Sequence, residues 1–104
     1  MRKKPLVLLP AGESWESFKE RLLTPEERRE LDLRVEIITE MLRAREDMGL
    51  SQRELETSSG VAQPVISRVE RGTTDPRIST ILKLLASLGK TLKVVPLEER
   101  NPPN

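Results

Sequence analysis

Cysteine, histidine and tyrosine are absent from the 104 residues, and the aromatics number one Trp and one Phe. Without cysteine there is no disulfide framework, no thiolate zinc site and no cysteine nucleophile. Without histidine, a Ser-His-Asp triad and the common imidazole metal sites are excluded as well. The remaining carboxylates and lysines fall on solvated helix faces with no nucleophile–base arrangement. No catalytic residue, metal, cofactor or small-molecule ligand is therefore expected, and the chain reads as something other than an enzyme. No apolar run approaches the roughly 18 residues of a membrane span. The patch Leu6 to Leu9, between Pro5 and Pro10, is shorter than the roughly 7–15 residues of a signal-peptide core. A cytoplasmic protein with no membrane partner is the expectation. An excess of one charge is also lacking, since 18 Lys and Arg face 17 Asp and Glu for a net charge of +1. The length suits one domain, or one small domain with an arm.

What is present is mostly helical periodicity. Residues 1–12, with two prolines and a glycine, suit an extended arm or short strand. From Ser14 to Leu23, Trp15, Phe18, Leu22 and Leu23 recur every three to four residues among charged ones, which predicts a short amphipathic helix. Thr24, Pro25 and Glu27 then form an N-cap, a first helical position and a capping box. Leu31, Val35, Ile38, Met41 and Leu42 continue at helical spacing, and no breaker appears before Gly49. This predicts a helix roughly 35 Å long at 1.5 Å rise per residue. Ser51 with Glu54 opens a second capping box, and Leu55 anchors a short helix ending near Ser58. After the turn at Ser59-Gly60, a helix is predicted over about 63–70, with Ile66 and Val69 facing inward and Gly72 ending it. Ser79 is the expected N-cap of a last, strongly apolar helix carrying Ile81, Leu82, Leu84, Leu85 and Leu88. Leu92, Val94 and Val95 then read as a strand closed by Pro96. A lone strand cannot satisfy its own edge, so its partner is the patch Leu6 to Leu9 or another chain. The tail 98–104 should be disordered.

Two short helices joined by a tight Gly-containing turn fit the helix-turn-helix pattern. The stretch SQRELETSSGVAQPVISRVERGTTDP carries Ser51-Gln52, Leu55, Gly60-Val61, Ile66, Glu70 and Gly72 in an order and spacing that resembles the XRE (Cro/CI-like) DNA-binding family over about residues 35–88. The resemblance implies a mainly α, lambda-repressor-like bundle whose second motif helix enters the major groove, N-terminal part against the base edges. Gln63, Pro64, Ser67 and Arg68 are then the candidate base contacts. Gln63 can donate and accept toward adenine, Arg68 can grip guanine bidentately, and Pro64 can only pack on a thymine methyl. Gln52, at a helix start, and Thr73, Thr74 and Arg77, in the following loop, are candidate phosphate contacts. The resemblance also implies that Glu70 pairs with Arg45, a structural ion pair that locks the recognition helix to the scaffold.

The flanking stretches ESWESFKERLLTPEERRELDLRVEI and LKLLASLGKTLKVVPLEE resemble HigA-type antitoxins of bacterial type II toxin–antitoxin systems. That resemblance implies a homodimer on a pseudo-palindromic operator that represses its own operon and neutralises a RelE/HigB-like ribonuclease toxin by binding it. Trp15, Phe18 and Leu22 would be the toxin-binding anchors; docking of Trp15 and Phe18 on the chain's own helix is equally open. Leu92, Val94 and Val95 would be the dimerisation strand, paired with a symmetry mate. The expected division is 1–23 arm and toxin-binding helix, 24–89 DNA-binding domain, 90–97 dimerisation strand and 98–104 tail. By segment the charge is +3 over 1–12, −3 over 13–46, −1 over 47–50, +3 over 51–95 and −1 over 96–104. The acidic stretch suits a basic, RNA-handling partner, and the mildly basic DNA half implies weak non-specific DNA affinity. The alternative is a stand-alone XRE regulator without a toxin partner.

Overall fold

Helix starts fix much of this architecture. The Thr24 hydroxyl accepts from the Glu27 N–H at 3.1 Å, and the Glu27 carboxylate accepts from the Thr24 N–H at 2.9 Å. Ser51 and Glu54 repeat the arrangement at 3.0 and 2.8 Å. Each box satisfies two donors that the helix itself leaves unpaired. The computed structural model describes residues 12–97 and contains five α-helices: α1 Trp15–Leu22, α2 Pro25–Asp47, α3 Gln52–Ser59, α4 Gln63–Arg71 and α5 Ile78–Ser87. The expectations for residues 1–11 and the tail 98–104 lie outside the described residues.

Two local expectations are corrected. Residues 91–97 form no strand, and no strand occurs among the described residues. Val94 is 98% exposed and Val95 67%. The alternation of Leu92 and Val94 supplies strand propensity, but a strand exists only when its edge groups are paired, and no strand among the described residues pairs them. The N-cap of α5 is Arg77 rather than Ser79, and no side chain caps it. Arg77 is the last extended residue, at φ −68° and ψ 152°, and helical backbone begins at Ile78, leaving Ser79 inside the first turn.

The described chain divides into two units within α2, at Ile37/Ile38. In residues 38–97, Met41, Leu55, Ile66 and Leu84 are fully buried, joined by Ala44, Val61, Val69, Ile81, Leu85 and Leu88. α3 packs on both α4 and α5. Two glycines shape the motif. Gly60 ends α3 at φ 79°, and Gly72 ends α4 at φ 70°, a left-handed conformation that glycine adopts without a Cβ clash.

In residues 12–37, Ser14 caps α1 by accepting from the Ser17 N–H at 3.0 Å. Trp15 and Phe18 stack at 5.7 Å between centroids. Lys19 is only 6% exposed; its ammonium donates to Asp32 at 2.8 Å, pairs with Glu16 at 3.3 Å and lies 5.9 Å from the Trp15 ring centre. Arg21 forks onto Glu13 at 2.8 and 3.1 Å. The Arg21 hydrogen bond holds the Glu13 carboxyl below its ordinary 4.5, and the Asp32 hydrogen bond holds the Lys19 ammonium above its ordinary 10.5. A lowered acid stabilises the fold above its unfolded pKa, and that contribution is lost as pH falls through the folded one. A raised base stabilises below its unfolded pKa and is lost as pH rises through the folded one. Trp15, the single tryptophan, should therefore keep a constant emission spectrum between about pH 5 and 10 and shift only outside that window. A transition near neutrality would contradict this account of how α1 is held.

Candidate nucleic-acid interface

The outward face of α4 follows from helical geometry. Ile66 and Val69 are buried, so residues rotated about half a turn from them must face solvent. Pro64, Arg68 and Arg71 are exposed, and Ser67 and Gln63 are half-buried. The expected base-contact set thus shares one solvent-facing side of the helix, with Gln63 at its edge beside α3.

A chain of hydrogen bonds holds that edge. Arg45 of α2 forks onto Glu70 of α4, Nε to Oε2 at 2.8 Å and Nη2 to Oε1 at 2.9 Å. Its Nη1 donates to the Leu50 carbonyl at 2.9 Å. Glu70 Oε1 also accepts from Gln52 Nε2 at 2.8 Å, and Gln52 Oε1 accepts from Gln63 Nε2 at 2.6 Å. The side chain of Glu70 is 5% exposed and that of Arg45 21%. A buried carboxylate requires such compensation, so α2, α3 and α4 are tied together at one point. Gln63 thereby has its amide fixed in direction, with its carbonyl oxygen and one N–H remaining for an adenine edge, the donor–acceptor pair that base presents.

The phosphate candidates are placed less uniformly. Gln52 is half-buried and its side chain is engaged between Glu70 and Gln63 rather than turned wholly outward. Thr73 is exposed, and its hydroxyl donates to the Arg68 carbonyl at 3.2 Å. Thr74 is half-buried. Arg77 is exposed at the start of α5. Sequence reasoning missed two features. The Gln63–Gln52 bond spans 11 residues between helices and carries no local signal. Arg71 donates from Nη1 to the Ser67 hydroxyl on the outward face; its i+4 spacing from Ser67 was a signal the sequence did contain.

In residues 12–37 the stacked Trp15 and Phe18 are half-buried and Leu22 is 55% exposed. Arg21 lies over the Phe18 ring at 5.6 Å. Leu33 and Val35, at 51% and 54%, add exposed apolar surface. Among the described residues no cluster of acidic, His or Cys side chains could hold a metal ion, and no helix is long and apolar enough to cross a membrane.

Comparison with known proteins agrees with the geometry of α3 and α4. Residues 41–95 match the HTH_3 helix-turn-helix family model. An uncharacterized HTH-type transcriptional regulator of Haemophilus influenzae is 50% identical over 92 residues, covering 88% of this chain and 94% of that protein. Another HTH-type regulator, of Sinorhizobium fredii, is 36% identical over 59 residues, covering 57% of this chain and 77% of its own length. A chain of a toxin–antitoxin module from Streptococcus pneumoniae superposes with a TM-score of 0.76 at 52% identity, covering 83% of this chain and 96% of that one. The chain belongs to the helix-turn-helix family of DNA-binding proteins, in its XRE group.

Proposed function

We propose that the chain is the antitoxin of a HigA-type toxin–antitoxin pair: a cytoplasmic, non-enzymatic homodimer that represses its own operon and neutralises a RelE/HigB-like ribonuclease by binding it. The observation that carries this reading is the 52% identity, over 83% of this chain and 96% of the other, to a chain of a toxin–antitoxin module. The acidic balance of residues 13–46 supports a basic protein partner, and Trp15, Phe18 and Leu22 offer the aromatic and aliphatic anchors that dominate interface energetics. Exposed Val94 and Val95 offer apolar surface to a second copy. Two recognition helices would then meet half-sites about 34 Å apart on a pseudo-palindromic operator.

Co-expression with the adjacent reading frame tests the reading. A small basic protein should co-purify and its growth arrest should be relieved. Trp15→Ala together with Phe18→Ala should weaken the complex by roughly 30-fold or more, as loss of hot-spot residues does. An adjacent product that is neither toxic nor bound would leave the stand-alone regulator; the Haemophilus influenzae relative is described only as an HTH-type transcriptional regulator.

A further inference from the structure

We propose that Arg71 reads guanine in the major groove and that Ser67 is the residue that positions it; this rests on the DNA-binding reading of α4. Pro64, Ser67 and Arg71 are spaced three and four residues apart, so they form one row along the helix, on the side opposite buried Ile66 and Val69. Helical side chains lean toward the N-terminus. The Arg71 guanidinium does so here, its Nη1 donating to the Ser67 hydroxyl one turn earlier. That carries the positive group from the C-terminal end of α4 toward the part of a recognition helix that meets base edges.

The pairing also leaves the charge available. Arg21, Arg29, Arg43 and Arg45 each pair with a carboxylate, whereas among the described residues Arg71 pairs only with a neutral hydroxyl. The neighbouring acid, Glu70, is turned inward and engaged by Arg45 and Gln52, so it does not neutralise Arg71. An arginine has five N–H donors in a planar fork. One is spent on Ser67, which leaves the Nε/Nη2 edge for the paired O6 and N7 acceptors of guanine. A guanidinium already held in one orientation gives up less side-chain freedom on binding than a free one.

Site selection from a random duplex pool with the full chain, followed by fluorescence anisotropy against salt, tests this. The wild-type consensus should contain a guanine whose preference falls about 5- to 100-fold in Arg71→Ala. Arg71→Lys should keep the salt dependence but not restore that preference, because an ammonium cannot make the bidentate contact. Ser67→Ala should reduce the preference by roughly 2- to 10-fold with the salt slope unchanged. An unchanged consensus in Arg71→Ala, with uniform loss across sequences and a salt slope smaller by about one, would mean a phosphate contact only and overturn the proposal. Selection of no sequence by the wild-type chain would overturn the DNA-binding reading with it. Circular dichroism of each variant separates these outcomes from loss of the helices.

Discussion

Replacing Arg45 with alanine should lower the unfolding free energy of the DNA-binding unit by about 3–5 kcal/mol, because it strands a buried charge. The Glu70 side chain is 5% exposed and takes both parallel hydrogen bonds from the Arg45 fork. After the substitution only Gln52 remains to solvate that carboxylate, and the Leu50 carbonyl loses its donor too. Small domains have only about 5–15 kcal/mol in total, so urea unfolding followed by circular dichroism should show a large drop in midpoint. A companion variant separates stability from positioning. Arg45→Met with Glu70→Leu removes both charges, and apolar replacement of a buried ion pair is often neutral or stabilising. Much of the stability should return. Glu70→Leu also takes from Gln52 the acceptor that orients it, and Gln63 would lose its fixed direction, so binding to the operator should be weak. Full recovery of DNA binding in the double variant would show that the polar chain serves stability only.

The helical plan was written locally. The capping boxes at Thr24–Glu27 and Ser51–Glu54, the turn glycine Gly60 and the inward spacing of Ile66 and Val69 are each decided within a few residues. The strand over 91–96 was not legible in the same way. Leu92, Val94 and Val95 have the right residue types, but pairing is a property of a second segment, and the chain alone provides none among the described residues. The capping propensity of Ser79 did not locate the start of α5, because the helix begins at Ile78 after an extended Arg77 with no side-chain cap. The site follows the same division. The outward residues of α4 follow from periodicity. The Arg45–Glu70 contact spans 25 residues and came from family resemblance rather than spacing, while the Gln52–Gln63 and Lys19–Asp32 bonds depend on how helices meet and leave no trace in local sequence.

Gln63→Ala combined with Arg68→Ala should sharply weaken recognition of a specific site while leaving the fold intact. Both side chains lie on the outward side of α4. Removing Gln63 leaves the Arg45–Glu70–Gln52 links in place. Each base contact contributes about 1–3 kcal/mol of discrimination, and well-separated positions add roughly. The pair should therefore cost roughly 30-fold or more in specific affinity. Binding to arbitrary duplex should fall far less, since it depends on phosphate attraction. The most direct test is an anisotropy titration of the DNA upstream of the chain's own gene, at one fixed salt concentration, against a random duplex of equal length. The wild-type chain should prefer the upstream DNA strongly, and the double variant should lose roughly 30-fold or more of that preference, keeping only the part that Arg71 supplies. Equal affinity of the wild-type chain for the two duplexes, or an unaltered preference in the double variant, would contradict the assignment of α4 as the sequence-reading element.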